Sequence, residues 1–95
     1  MQGEAFEWDD TKAAIDWCKH FVTFEMARDV FEDLFSVEGD DGGYHDAEQR
    51  TLTMGMVENR LLVVCHTTRN GRIRIVSARP AEPYARRTYH NANKT

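Results

Sequence analysis

Cysteine and proline are scarce in this 95-residue chain, at two each, and its longest unbroken apolar run is Leu61 to Cys65. Each shortage excludes something. Cys18 and Cys65 form no CxxC pair and make no disulfide framework, so a reducing cytoplasm is the expected compartment and both thiols are expected in the core. A run of five apolar residues falls far short of the ~20 that span a bilayer. The opening, MQGEAFEWDD, lacks the charged-then-apolar pattern of a signal peptide. The histidines are scattered at His20, His45, His66 and His90, and no Gly-rich phosphate loop, GxSxG elbow or HExxH occurs. No metal or cofactor is therefore expected. A mass of 11.0 kDa makes a single domain over 1–95, with no room for an enclosed cofactor cavity. Any site is shallow or lies on one face.

What is present argues for a folded domain with segregated charge. Hydrophobic residues make up 41% of the chain, a core-forming share rather than a disordered one. The net charge of −4 hides two halves of opposite sign. Residues 1–48 carry fourteen acids against Lys12, Lys19 and Arg28, a balance of −11. Residues 49–95 carry Glu58 and Glu82 against nine Lys/Arg, a balance of +7. Such segregation predicts one acidic and one basic surface.

Periodicity divides the chain in the same place. Phe6-Glu7-Trp8 alternates like a short edge strand. Asp9 or Asp10 can cap a helix over Thr11–His20, with Ala14, Ile15 and Cys18 at helical spacing. Thr23 can cap a second helix whose buried stripe is Ala27, Val30, Phe31 and Leu34. Residues 38–48 read as a polar, glycine-containing loop. Beyond it the period is two. Arg50–Met56, Leu61–Thr67 and Arg72–Arg79 read as strands, joined by a turn near Glu58-Asn59 and the hairpin signal Asn70-Gly71. Pro80 and Pro83 end the last strand, and Pro83 suits the first turn of a short terminal helix. The expectation is an α+β domain: two N-terminal helices, a three- to four-stranded antiparallel sheet and a C-terminal helix.

Arg69, Arg72, Arg74 and Arg79 fall within eleven residues, and Arg86 and Arg87 follow with one acid among them. Several planar guanidinium forks on one sheet face suit a row of phosphates. The plain alternative is a solvated strand face. His66, at the end of the central strand, titrates near neutrality and is an acid/base candidate, or else a packed strand-end histidine. Its face depends on the hairpin. A two-residue Asn70-Gly71 loop pairs Thr67 with Arg74 and leaves His66 on the Ile75 face; a three-residue bulged loop pairs His66 with Arg74.

Phe6-Glu7-Trp8-Asp9, Lys12, Lys19-His20, Phe24-Glu25, Ala27, Val30, Phe31 and Asp33 resemble the opening of the BrnT toxins. Arg50-x-Leu-Thr-Met-Gly55, Arg60-Leu-Leu-Val-Val-Cys-His66-Thr67, Arg72-Ile-Arg-Ile-Val-Ser-Ala-Arg79, Ala81, Arg86 and Tyr89 continue the likeness in order. The resemblance covers about residues 6–89. It implies a RelE-like fold, ribonuclease activity and a BrnA-like ribbon-helix-helix antitoxin as partner, with operator DNA reached only through the antitoxin complex. Asp16 stands where the family usually has Asn, Phe21 where Gly commonly follows Lys-His, and Ala85 where Glu precedes the arginine.

For metal-free RNA cleavage, in which the substrate's 2′-hydroxyl attacks the phosphate, the roles follow from chemistry. Arg74 and Arg79 would stabilise the phosphate with help from Arg86, and His66 would move the proton. Tyr89 would donate a hydrogen bond or stack on a base, and Arg69, Arg72 and Arg87 would hold the RNA backbone. The competing class is a binding module that captures its antitoxin and RNA without cutting. Growth arrest with RNA degradation separates the two.

Overall fold

The computed structural model describes residues 5–45 and 48–93, with the side chains of 40–45 and 48 left aside. Strands β1 (Phe6–Trp8), β2 (Val37–His45), β3 (Glu48–Val57), β4 (Arg60–Arg69) and β5 (Arg72–Pro80) form one sheet in the order β1-β5-β4-β3-β2. Helices α1 (Asp10–His20) and α2 (Phe24–Asp29), a 3-10 turn over Val30–Glu32 and α3 (Pro83–Ala92) complete the chain. The α+β expectation holds. The sheet differs from it in having five strands and in being mixed, because β1 runs parallel to β5 while every other pair is antiparallel.

The extra strand is β2, in the stretch read as a loop. Its glycines and acids carry little strand propensity, but Val37–Asp40 pair with Met54–Thr51 and β3 supplies the template. The register shifts between Asp40 and Tyr44. Residues 46–47 of the expected loop lie outside the described residues.

Local signals set the helix ends. Asp9 caps α1 by accepting from Thr11 N–H at 2.8 Å, and Thr23 Oγ1 caps α2 by accepting from Met26 N–H at 3.0 Å. Helix α1 ends on Phe21 in the left-handed region, φ 55°, where its N–H reaches the Trp17 carbonyl. That is the position where a glycine is at ease.

Which face of each helix is buried departs from the periodicity. Helix α2 and the 3-10 turn seat Phe24, Ala27 and Val30 in one core with Trp8, Leu62, Val64, Ile75 and Ala78. Leu34, expected in that stripe, is 95% exposed because the helix has ended before it. On α1 the spacing of Ala14, Ile15 and Cys18 points to a buried stripe, yet all three are exposed. The buried side chain of α1 is Asp16. Beyond Ile75, β5 has no β1 partner, and Asp16 Oδ2 accepts the edge N–H of Ala78 at 3.0 Å. A polar hook thus decides the rotation of α1. Of the two thiols expected in the core, Cys65 is buried and Cys18 is exposed.

Gly55 is required by contact. A Cβ there would meet Val30 Cγ1 and the Val30 carbonyl at 2.8 Å, so the 3-10 turn crosses β3 only because no side chain intervenes. Asp33 then fastens that crossing. Its Oδ2 accepts from Met56 N–H at 2.8 Å and from Tyr89 Oη at 2.7 Å, and its Oδ1 accepts from Phe35 N–H at 2.9 Å.

Candidate functional site

Register decides what the two sheet faces carry. Asn70 (φ 54°) and Gly71 (φ 76°) form a two-residue turn that pairs Arg69 with Arg72, Thr67 with Arg74 and His66 with Ile75. Of the two hairpin registers open to the sequence, the two-residue one is adopted. Between Cys65–Ser77 and His66–Ile75 the pairing shifts, leaving Val76 as an extra residue, a β-bulge. Strict alternation would put Arg79 on the face of Ile73 and Ile75. The bulge reverses its parity, so Arg79 pairs with Val63 on the same face as Arg72 and Arg74.

That face is the one turned away from α2. Arg50 shares it, since Thr51 pairs with His66 on the opposite face. Glu7, opposite Arg74, accepts from its Nη1 at 2.7 Å. At this end a cleft of about 370 Å³ is lined by Asp9, Lys12, Arg50, Arg69, Arg74, Ile75 and Val76. Lys12 projects from α1, where its Nζ lies 2.6 Å from Asp16 Oδ1. The Arg50 Nε is buried without a hydrogen-bond partner among the described residues. Four cationic side chains from four elements, α1, β3, β4 and β5, therefore converge on one opening.

The other end of the face is covered by α3. Leu52, Met54, Val63 and Arg79 from the sheet meet Glu82, Tyr84, Ala85 and Thr88 across a groove of about 300 Å³. The methionine face of β3 turns to this groove, while Thr53 on the opposite face is 2% exposed beneath the helices. From Thr67 to Val63 along β4 is four residues, so Arg74 and Arg79 stand about 13 Å apart along the strand.

The expected site residues divide accordingly. Arg69, Arg72, Arg74 and Arg79 share the face. Arg86 and Arg87 are exposed on α3, and the Arg87 guanidinium carbon stands 6.0 Å from the centroid of the Tyr84 ring. Tyr89 is not brought to them. Its ring is buried, and its hydroxyl is pushed up to about 12 by burial, by the hydrogen bond to Asp33 and by the charge of Asp33. Burial acts to raise the Asp33 carboxyl, but hydrogen bonds from Met56 N–H, Tyr89 and Phe35 N–H together hold it below 3.8. Tyr89 thus anchors α3, with no face open for a base.

His66 also lies apart from the arginines. It is 7% exposed, on the helix-covered face, with Nε2 2.7 Å from Thr53 Oγ1 and its ring edge-on to Phe31 at 4.9 Å. Burial pushes its imidazole below the ordinary 6.5, against the opposing pull of the Glu38 carboxylate.

Sequence reasoning missed Arg50, Lys12, Glu7 and Glu82 as parts of the face. Arg50 was legible by parity, since it alternates with Thr51 and Thr53. Lys12 was not, because only the placement of α1 brings it to the cleft. No group of three or more His, Cys, Asp or Glu among the described residues is arranged to hold a metal ion.

A family model described as ribonuclease toxin, BrnT, of type II toxin-antitoxin system matches residues 8–84. The chain belongs to the BrnT family. Membership makes it a type II toxin of the ribonuclease kind, with an antitoxin as its partner. A comparison with curated proteins finds no match. The match runs from β1 into the first turn of α3, so it takes in the whole arginine face and both turns that set its register. Arg86, Arg87 and Tyr89 lie beyond its end. No helix among the described residues is long and apolar enough to cross a membrane.

Proposed function

We propose that this BrnT-family chain is a metal-independent endoribonuclease, RelE-like in mode, that cuts RNA on its arginine face and so arrests translation and growth. The observation that carries the reading is the bulge at Val76, which turns Arg79 to the face of Arg72 and Arg74. A strand that breaks its own alternation to gather cations has a surface suited to phosphates.

In this reading the RNA 2′-hydroxyl attacks the adjacent phosphorus in line, so that the P–O2′ bond forms as the P–O5′ bond breaks and the leaving 5′-oxygen takes a proton from water. Arg74 neutralises the pentavalent phosphate, and Arg79, Arg50, Arg69, Arg72 and Lys12 hold flanking phosphates, with Arg86 and Arg87 extending the track along α3. Glu7, on this face and 2.7 Å from Arg74, takes the 2′-hydroxyl proton. His66 serves from the opposite face by packing beneath β3 and β4. The antitoxin is a BrnA-like ribbon-helix-helix protein, and operator DNA is met through it.

Incubation of the purified chain with RNA, with and without EDTA, tests the reading. The expected result is cleavage that survives EDTA and leaves 2′,3′-cyclic or 3′-phosphate ends. Arg74→Ala is expected to abolish cleavage, since loss of a preorganised cation costs about 3–4 kcal/mol of transition-state stabilisation, and Arg79→Ala to abolish toxicity by removing the phosphate contact at the α3 end of the track. Dependence on added divalent metal with 5′-phosphate products overturns the mechanism.

A further inference from the structure

We infer that the groove between α3 and the sheet is a nucleobase pocket that selects guanine, an inference that rests on RNA being the substrate of the arginine face. The groove, about 300 Å³, has an apolar wall of Leu52, Met54 and Val63 and is completed by Arg79, Glu82 and Tyr84. An apolar slot with a few convergent polar groups is the form that small-ligand sites take, and this volume is at the small end of their range.

Each remaining residue fits one part of a nucleotide. The Tyr84 ring is 74% exposed on the first turn of α3, free of the interior role that occupies Tyr89, and offers a stacking surface for a base. Arg79, in the same groove, carries the charge that a phosphate of that nucleotide needs. Glu82 is the residue before α3, yet its side chain makes no capping hydrogen bond to the helix. Its carboxylate is acceptor-only, with two oxygens side by side, so it reads a base edge that presents two donors. Guanine has that edge in its N1–H and N2–H. Uracil offers one N–H between two carbonyls that a carboxylate repels. Single-stranded RNA is commonly read by this combination of aromatic stacking and hydrogen bonds to the Watson–Crick edge.

The test titrates guanosine 3′-monophosphate and uridine 3′-monophosphate into the full chain by NMR. A parallel assay cuts uridine-tract RNAs that contain or lack a single guanosine. Guanosine monophosphate is expected to bind at least about tenfold tighter than the uridine nucleotide, and cleavage to fall beside the guanosine. Glu82→Gln, isosteric and solvent-facing, is expected to bring the ratio below about threefold, and Tyr84→Ala to weaken both nucleotides by about tenfold. Equal affinities, or a ratio unchanged in Glu82→Gln, overturn the inference. Discrimination without cleavage of any RNA keeps the pocket and removes the nuclease reading; cleavage without discrimination does the reverse. Should both variants bind nucleotides as before and lose affinity for the antitoxin, the groove is a protein-docking surface and the inference falls.

Discussion

Phe21 holds the one left-handed position among the described residues that closes a helix, and it does so with a β-carbon. A non-glycine residue there carries about 1 kcal/mol of backbone strain. Its ring is 65% exposed and stands T-shaped to Trp17 at 5.7 Å, so little packing offsets that cost. Phe21→Gly is therefore expected to stabilise the fold by about 0.5–1 kcal/mol, seen as a rise of several degrees in Tm. His66 behaves in the opposite sense with pH. Its folded pKa lies below the ordinary 6.5, so the unfolded chain binds the extra proton and stability falls as pH drops below about 6.5. His66→Gln is expected to flatten the Tm profile between pH 5 and 7, losing some ring packing on Phe31. If the histidine moves no proton in the reaction, the variant also keeps its cleavage rate within about threefold; a 10²-fold loss in a folded variant returns His66 to the chemistry.

At the scale of elements, two aspartates do the joining that hydrophobic spacing fails to foretell. Asp33 ties the 3-10 turn, β3 and α3 through Met56, Phe35 and Tyr89. Asp33→Ala removes three acceptor contacts at once and is expected to cost about 2–4 kcal/mol by chemical denaturation. Asp16→Ala strands the Ala78 N–H at the β5 edge and is expected to cost more than Asp16→Asn, which keeps one acceptor. Gly55→Ala is expected to destabilise by about 1–3 kcal/mol, because Val30 backbone as well as side chain must give way. The strands β3 to β5, the caps Asp9 and Thr23, both tight turns and the Pro83 start of α3 were legible, since each rests on a residue's own backbone preference or on period two. The rotation of α1 was not, because Ala14, Ile15 and Cys18 state an apolar face while Asp16 is drawn inward by the Ala78 N–H at the edge of β5. Strand β2 was not either: its partner, not its composition, makes it extended.

For the molecule as a whole, a net charge of −4 and a cationic face coexist because Arg69, Arg72, Arg74 and Arg79 are gathered on one side of the sheet, where local charge differs from the total. RNA binding is expected to weaken steeply between 50 and 200 mM salt despite the acidic pI, with a slope set by phosphate contacts rather than by total charge. Arg72→Ala is expected to weaken binding to all RNA sequences alike and to reduce that slope by about one. A salt-independent affinity would make the face a solvated one. The sequence disclosed the arginines but not their common side, since Arg79 is out of step with Arg72 and Arg74 until one residue is left uncounted.

That uncounted residue makes chain length itself a determinant of activity. Deleting Val76 would restore plain alternation and leave Arg74 and Arg79 on one side of the sheet, whereas inserting one residue beside it, with a single-residue bulge kept, would change no charge yet part them to opposite sides. Its side chain is only half-buried, so Val76→Ala leaves the phase of the strand intact. In a scan of growth arrest covering every substitution, single-codon deletion and single-codon insertion, position 76 should tolerate nearly any letter and its own loss but no added residue, with the insertion scoring beside Arg79→Ala.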